Sequence, residues 1–393
     1  MISEFLPKIP YGTKDLLPQE AKHKRIVEGA LAELFSLWGY EEIVTPAFEY
    51  LETLAVGMGD DMLEHAFKFF DKNNRILALR TEMTTPLSRV AATRLKDKEL
   101  PLRLFYLANV FRHEEAQTGR RCEFYQAGIE LLGASDQTAD AEVVALAANA
   151  MMSAGLNNFQ ISLGQIEFIN GLMLESQLSA QAMCDIKRFI INRDLVGLGE
   201  ALEANGLSKG VCQLFKDIPL LQGREDVLEK AYRLVQNDVS RQALDNLSGI
   251  YSLLDNYEVK QYVTFDLGII RNFDYYTGMV LEGYTPGLGF SLLGGGRYDN
   301  LISSFDFKCP ATGFAFGIER ALLALERQRI SIDIDEKAVY VAFDEGFQQE
   351  AIAAAQKRRS SGQKALLALM PQNKKEAELS ASRMRCQELV YLA

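Results

Sequence analysis

The sequence is poor in the residues that bind metal ions or build disulfide networks. It has three histidines, one tryptophan and five cysteines in 393 residues. The cysteines form no C-x-x-C motif, being widely spaced at Cys122, Cys184, Cys212, Cys309 and Cys386. Such scattered ligands argue against a structural zinc site, and an odd number of isolated thiols is typical of a reducing compartment. The composition therefore predicts a cytoplasmic protein without a structural metal.

Long apolar runs and an excess of positive charge are also missing. No apolar stretch reaches the ~18 residues that a transmembrane helix requires, and the first residues lack the pattern of a secretory signal. Lysine and arginine number 42 against 53 aspartate and glutamate residues, a net charge of −11. Proteins built mainly to hold nucleic acid need clustered positive charge. We therefore expect no membrane insertion and no broad nucleic-acid surface.

Hydrophobic periodicity predicts an α+β fold. Residues 20–37 place apolar side chains on one helical face, and a short strand closed by Pro46 follows. Two longer strands are predicted at 102–114 and 122–133, with a charged turn between them. The pattern indicates a mostly antiparallel sheet flanked by helices.

Composition changes along the chain predict three parts. Residues 1–167 and 254–330 carry the alternating strand patterns of a single core. Residues 168–253 have short helical patterns, which predict an all-helical insertion. Residues 331–393 have a β-α-β-α-β order, which fits a short parallel α/β unit at the C-terminus.

A glycine run, Gly294-Gly295-Gly296, precedes Arg297 and ends the predicted strand at 288–293 in a turn. It lacks the G-K-[ST] ending of a phosphate-binding P-loop. Two interpretations stay open. The glycines permit a tight turn or close packing of strands, or they let a ligand approach the backbone.

Arginines within strand and helix patterns carry the first family resemblance. Arg112 lies in FRHE, Arg120 and Phe124 follow a short loop, and Arg320 lies in GIER. Together with the helix, strand and Pro46, these segments resemble the three signature motifs of class II aminoacyl-tRNA synthetases. The resemblance implies the antiparallel sheet flanked by helices that these synthetases share. It also implies that Arg112, Arg120 and Arg320 lie at a vestigial site for ATP or phosphate, since guanidinium groups bind phosphate in bidentate fashion.

Further segments resemble the histidyl-tRNA synthetase lineage, over roughly residues 8–325. They are PYGTKDLLP, LRTEMT, FRHEEAQTGRRCEFYQAGIE, RNFDYYTG and GGGRYDN. The resemblance implies a histidine pocket, because carboxylates and amides suit an ammonium group and an imidazole. By position, its residues would be Glu82, Thr84, Gln126, Glu130, Arg271, Tyr275 and Tyr276. For the two tyrosines, ordinary core packing is the alternative.

The sequence departs from that lineage where a synthetase meets its tRNA. Glu115, Thr118 and Cys122 stand where the lineage has basic residues, and Asn272 replaces a glycine after Arg271. An acid facing a phosphate backbone repels it. The tail, 331–393, is shorter than an anticodon-binding domain and has nine acidic and nine basic residues. We therefore expect tRNA binding to be absent.

A synthetase-like chain with a histidine pocket but few tRNA contacts resembles the regulatory subunits of ATP phosphoribosyltransferase. That resemblance implies a non-catalytic chain without a cofactor, with L-histidine as its effector. It also implies a short-form catalytic subunit as partner in the first step of histidine biosynthesis. The helix at 20–37 and the strand that ends at Pro46 resemble the segment that forms the class II synthetase dimer, which implies a homodimer. The alternatives are a functional histidyl-tRNA synthetase and another synthetase-like paralogue that modifies a protein or a small molecule.

Overall fold

The computed structural model of the chain describes residues 8–57, 63–113, 121–269, 275–332 and 337–393. The chain divides into two compact units, Met1–Ser331 and Ile332–Ala393. Each unit has its own sheet and core and is treated by itself.

The first unit is built on a large sheet. Its described helices are α1 (Pro18–Leu37), α2 (Leu51–Ala55), α3 (Thr84–Arg94), α4 (Gln137–Ser153), α5 (Ile166–Glu175), α6 (Ala180–Ile191), α7 (Leu195–Ala204), α8 (Lys209–Asp217), α9 (Asp226–Leu234), α10 (Asp238–Leu253) and α11 (Ile318–Arg327). Its described strands are β1 (Glu41–Glu42), β2 (Phe48–Tyr50), β3 (Lys68–Phe70), β4 (Ile76–Leu79), β5 (Leu102–Phe111), β6 (Glu123–Leu132), β7 (Gln160–Gln165), β8 (Gln222–Gly223), β9 (Val263–Asp266), β10 (Met279–Tyr284), β11 (Leu293–Arg297) and β12 (Ala311–Gly317).

Nine of these strands form one sheet in the order β1-β5-β6-β12-β11-β10-β7-β9-β8. Its centre, from β5 to β7, is antiparallel throughout, and β1 and β9 join as parallel strands. The predicted α+β class with an antiparallel sheet is therefore confirmed.

One face of the sheet is covered by helices. The Phe35 ring of α1 lies 5.7 Å from that of Phe105 on β5 and 6.1 Å from that of Phe314 on β12, measured between centroids. Helix α1 starts with Pro18 at its first turn and ends before Gly39, whose φ of +80° favours glycine. These contacts place the main core between α1 and this face and leave the opposite face for the site.

The glycine run does not form the predicted turn. Gly294, Gly295 and Gly296 lie inside β11, and the chain turns only after Arg297. A Cβ at Gly295 would lie 2.0 Å from the carbonyl oxygen of Gly313 on the neighbouring strand. The glycines are therefore needed for close packing of strands. Local composition suggested a turn because glycine permits both arrangements.

Residues between β7 and β9 are helical, with one exception. Helices α5 to α10 occupy most of this segment, but Gln222 and Gly223 form β8, which pairs antiparallel with β9. The expectation of helices alone is wrong at these two residues, because so short an edge strand leaves no alternating pattern to detect.

A small antiparallel sheet, β2-β4-β3, forms beside α2 and α3 in the first unit. The second unit has a parallel sheet, β14-β13-β15, from β13 (Val339–Phe343), β14 (Ala365–Leu367) and β15 (Glu388–Leu392). Helices α12 (Gln348–Ser360) and α13 (Lys374–Arg383) connect its strands. The β-α-β-α-β order of this tail was predicted from the sequence. Among the described helices, none combines the length and hydropathy that a bilayer span requires.

Candidate functional site

The sheet face opposite α1 is lined by small residues. Residues directly opposite each other on paired strands project to the same face. In one row across the sheet, the register aligns Tyr106, Gly128, Ala315, Gly294 and Glu282. In the next row, it aligns Leu104, Glu130, Gly313, Gly296 and Val280. We call this surface the glycine-lined face; its floor leaves room above the backbone for polar side chains and a ligand.

At two positions of this face, Gly313 and Gly128, only glycine leaves enough space for the neighbouring side chain. A Cβ at Gly313 would lie 2.1 Å from Oε2 of Glu130, and a Cβ at Gly128 would lie 2.3 Å from the hydroxyl of Tyr106. Both distances are shorter than any side-chain packing allows. Glu130 and Tyr106 therefore lie flat against the sheet only because their neighbours have no side chain.

Glu130 is the most deeply buried acid of this face, at 2% exposure. The hydroxyl of Thr84 donates to its Oε1 at 2.9 Å, and the hydroxyl of Tyr298 donates to its Oε2. Burial raises the pKa of Glu130 to about 8; the nearby Glu82 carboxylate raises it too, whereas the two hydroxyl donors lower it. A carboxyl in this state can donate or accept a proton close to neutral pH.

Glu82 lies just before α3 and is also buried, at 4% exposure. Its carboxylate accepts hydrogen bonds from the backbone N–H groups of Thr84 and of Thr85, the latter at 2.8 Å. Negative charge is favourable at this end of a helix. Thr84 connects both acids, since its N–H binds Glu82 and its hydroxyl binds Glu130. We call Glu82, Thr84 and Glu130 the acidic end of the glycine-lined face.

Gln126 projects from the same face of β6, four residues before Glu130, and lies opposite Gly317. Its Oε1 is buried, and among the described residues it has no hydrogen-bond partner. A buried acceptor without a partner costs about 1–3 kcal/mol. A ligand that donates an N–H would remove this penalty, so Gln126 indicates a polar ligand beside the acidic end.

Aromatic rings form a wall next to Glu130. The ring of Tyr275 lies 4.8 Å from that of Tyr276 and 5.7 Å from that of Tyr298, between centroids. Burial raises the pKa of Tyr275 and of Tyr298 well above the usual value. These phenols therefore remain donors, and Tyr275 also belongs to the core cluster around Tyr298. Core packing therefore applies to Tyr275, and the part of Tyr275 and Tyr276 in a ligand pocket stays a prediction.

Two of the three predicted phosphate-site arginines are described, and both have partners in their own chain. Arg112 donates from Nε to the carbonyl oxygen of Thr81 at 2.7 Å, and its guanidinium lies 5.3 Å from the Phe124 ring centroid. Arg320 donates to the carbonyl oxygen of Ser291 at 2.7 Å. We call Arg112 and Arg320 the arginine end of the glycine-lined face. Arg120 and Arg271 lie outside the described residues, as do Glu115 and Thr118 of the loop and Asn272.

Cys122, at a position where the synthetase lineage has a basic residue, is buried under the N-terminal segment. Its N–H donates to the carbonyl oxygen of Gly12 at 2.8 Å, and a Cβ at Gly12 would lie 2.3 Å from its sulfur. A long basic side chain does not fit here. Within the described ranges, no three His, Cys, Asp or Glu residues are grouped as metal ligands.

The structure adds residues that the sequence did not single out. Tyr298 belongs to the GGGRYDN motif, and Gly313 opens the GxxxGxER motif that ends at Arg320, whereas Tyr106 lies in no motif. Tyr298 could have been found from its motif. The same motif contains Arg297, which forms a buried ion pair with Asp140 of α4 at 2.9 Å. The positions of Gly313 opposite Glu130 and of Gly128 opposite Tyr106 follow only from the strand register.

Comparisons with known proteins match this architecture. The histidyl-tRNA synthetase family model covers residues 12–321. A relative named ATP phosphoribosyltransferase regulatory subunit, from Desulforamulus reducens, is 39% identical over 100% of this chain and 97% of its own length. A protein with the same name from Moorella thermoacetica is 42% identical, over 82% of this chain and 83% of its own.

Solved structures agree. A structure from Bacillus halodurans, described as an ATP phosphoribosyltransferase regulatory subunit/histidyl-tRNA synthetase, has a TM-score of 0.87 at 33% identity and covers 99% of both chains. Histidyl-tRNA synthetase from Nostoc shares the fold, with a TM-score of 0.84 at 22% identity over 98% of this chain and 91% of that one. The predicted class II synthetase-like fold is confirmed, and the chain belongs to the family of ATP phosphoribosyltransferase regulatory subunits.

Proposed function

We propose that this chain acts by binding rather than by chemistry, as the regulatory, non-catalytic subunit of ATP phosphoribosyltransferase. Its partner is a short-form catalytic subunit, which requires it for the first step of L-histidine biosynthesis. The 39% identity to a regulatory subunit over the whole chain carries this proposal. The buried acidic end supports it, because a sensor of the end product needs a pocket for an amino acid with an ammonium group and a nitrogen-containing ring.

We further propose L-histidine as the ligand of the acidic end, with no other cofactor. The α-ammonium group would lie against Glu82, and the imidazole would reach Glu130. The buried Oε1 of Gln126, which has no hydrogen-bond partner among the described residues, supports a ligand with several N–H groups. Binding there can bias an equilibrium shared with the catalytic subunit, and couplings of this kind are typically about 1–3 kcal/mol, or about 5–150-fold.

A steady-state assay of phosphoribosyl-ATP synthesis with purified chains tests the function. This chain alone should be inactive, and its addition should raise the activity of the short catalytic subunit. Histidine should suppress the complex more strongly than the catalytic subunit alone. Glu82→Gln should still activate but should respond less to histidine. Equal rates with and without this chain would refute the regulatory role, and an unchanged response of Glu82→Gln would place histidine elsewhere, at the subunit interface.

A second candidate is a functional histidyl-tRNA synthetase, which the arginine end favours. Arg112 and Arg320 lie beside Phe124 and Phe290, at 5.3 and 5.2 Å from the ring centroids, an arrangement suited to a nucleotide. ATP/pyrophosphate exchange with histidine, followed by tRNA charging, separates the candidates. We expect no charging, because the acidic loop residue Glu115 and the neutral tail do not suit tRNA.

A homodimer completes the proposal. Large apolar side chains are exposed at the last residue of α1, in the segment that follows and on the small sheet: Leu37 is 79% exposed, Val44 82% and Phe48 50%. A second copy that packs here would bury them and cover the β1 edge of the sheet. We therefore expect a dimer by light scattering at micromolar concentration, and Val44→Glu should dissociate it. Val196→Glu, at an exposed valine of α7, is the control; a monomeric wild type would contradict the dimer.

The five cysteines are free in the structure, two of them with at least partly accessible side chains: Cys184 and Cys386. Free thiols persist in a reducing environment. This supports a cytoplasmic location as part of the proposal, and alkylation of thiols in cell extracts made under acid quench would test it by showing Cys184 reduced.

A further inference from the structure

The surroundings of Glu130 contain hydrogen-bond donors but no described cation. Its partners are the hydroxyls of Thr84, from α3, and Tyr298, which follows β11. The other charge that acts on it is the carboxylate of Glu82. Among the described residues, Tyr106 from β5, Tyr275 and Tyr40 also interact electrostatically with Glu130. Within the described residues, none of the groups that shift the pKa of Glu130 is a cation.

We propose that Glu130 and a ring nitrogen of the ligand hold one proton between them, so that the pocket selects a side chain able both to donate and to accept. This inference rests on the proposed function, in which histidine is the ligand of the acidic end. It adds the way in which the imidazole is distinguished and a pH dependence that the function alone does not require.

Hydrogen-bond geometry gives the reason. Both oxygens of Glu130 already accept from hydroxyls, and Gly313 keeps the carboxyl flat against the sheet. A third contact is made either by the carboxyl O–H donating to a ring nitrogen or by a ring N–H donating to the carboxylate. Each arrangement contains one proton. If the carboxyl and the ring nitrogen both carried a proton, two donors would face each other. If neither carried one, two lone pairs would face each other. Either mismatch is costly where water is excluded.

The neighbouring phenols do not supply or take this proton. Burial raises the pKa of Tyr106, Tyr275 and Tyr298 well above the usual value, so they stay protonated through the neutral range. The carboxylate of Glu82 is held by the N–H groups of Thr84 and Thr85. The proton balance of binding near neutral pH is therefore set by Glu130 and by the ligand ring.

Two pKa values then fix the pH profile. The imidazole of free histidine takes up a proton below about pH 6.5, and Glu130 of the empty pocket loses its proton above about pH 8. Histidine affinity should be highest between these values and should fall about tenfold per pH unit on either side. We call the fall at lower pH the acid limb of the affinity profile and the fall at higher pH the alkaline limb. Binding should release a proton on the acid limb, take one up on the alkaline limb, and exchange almost none between them.

Isothermal titration calorimetry of the full-length protein with L-histidine, from pH 5.5 to 8.8 in buffers of different ionisation enthalpy, tests this. Wild type should give both limbs. Glu130→Gln, whose amide cannot titrate, should keep the acid limb and lose the alkaline one. The control is Glu319→Gln, because burial also raises the pKa of Glu319 but its carboxylate accepts from the backbone N–H of Tyr125. It should keep both limbs. β-(1,2,4-Triazol-3-yl)alanine, whose ring is much less basic, should bind without the acid limb.

The outcomes separate this inference from the function on which it rests. A flat profile for wild type, or an alkaline limb that persists in Glu130→Gln, would overturn the shared proton while histidine binding stands. Absence of histidine binding at every pH, with activation of the catalytic subunit intact, would remove the ligand assignment and this inference with it. Loss of the alkaline limb in Glu130→Gln alone would support it.

Discussion

The two ends of the glycine-lined face differ in how the chain satisfies their charges. At the arginine end, Arg112 and Arg320 each donate to a backbone carbonyl oxygen of their own chain. At the acidic end, Glu82 and Glu130 are buried, and within the described residues neither takes part in an ion pair. The comparison shows where binding energy is still available: a cationic ligand gains a counter-charge at the acidic end, whereas the arginines already help to hold their own loops.

Stabilisation by the ligand itself is a large expected effect. A ligand that binds only the folded state adds RT ln(1 + [L]/Kd), about 2.7 kcal/mol at a hundredfold excess over Kd. Histidine should therefore raise the free energy of unfolding by about that amount, measured by urea denaturation at several histidine concentrations. A dependence of stability on [L] that saturates, or an equal effect of L-phenylalanine, would contradict specific binding at the acidic end.

Removal of one charge at each end should have unequal consequences. Glu82→Gln keeps an acceptor for the first turn of α3 but removes the charge that faces an ammonium group. Charge-assisted hydrogen bonds contribute about 1.5–3 kcal/mol, so histidine affinity should fall about 30-fold, or about 2 kcal/mol. Arg320→Ala should leave it nearly unchanged. Both variants are compared by calorimetry, with circular dichroism to show that each is folded. Similar losses of histidine affinity in the two variants would show that the acidic end does not contribute more to binding than the arginine end.

The empty acidic end should also make stability depend on pH. A free glutamate has a pKa of about 4.3, whereas that of Glu130 is about 8 in the folded protein. The folded state thus keeps a proton that the unfolded chain has released. The stability from this group is complete below about pH 4.3 and is lost as pH rises toward 8, by about 1.4 kcal/mol per unit.

Denaturation of ligand-free wild type and of Glu130→Gln between pH 5.5 and 7.5 measures that dependence. The variant lacks the titrating group, so the difference between the two curves isolates it from every other residue. Wild type should lose stability relative to Glu130→Gln as pH rises. Parallel curves would show that Glu130 is ionised in the empty pocket.

Much of this arrangement was predictable because it depends on local patterns. The strands around residues 102–114 and 122–133 alternate, and Thr84 and Glu82 stand in a recognisable motif. The family resemblance placed Glu82, Thr84 and Glu130 in one predicted pocket by position, and the structure brings the three residues together through the two hydrogen bonds of Thr84. The position of Gln126 beside them follows from its place four residues before Glu130 on the same strand.

What escaped prediction depends on contacts between distant strands. That Gly313 leaves space for Glu130 follows from the pairing of β6 with β12, across residues far apart in sequence. The same holds for Gly128 beneath Tyr106. The glycine run was expected to turn because composition alone cannot distinguish a turn from a strand packed closely on its neighbour. Register, rather than residue type, decides these positions.

The smallest expected effect comes from the hydroxyl of Tyr298, which donates a hydrogen bond to Glu130 and carries no charge. Tyr298→Phe removes one of the two hydroxyl donors to Glu130. A single hydrogen bond contributes about 1 kcal/mol, so histidine affinity at pH 7 should fall about fivefold. Because the lost donor lowers the pKa of Glu130, its removal should also move the alkaline limb of the affinity profile to higher pH. Tyr340→Phe is the matched control, since that buried phenol donates to Gln372 in the second unit at 3.2 Å. It should change neither the affinity nor the limb. A fivefold loss without movement of the limb would mean that Tyr298 shapes the pocket wall but does not act through Glu130.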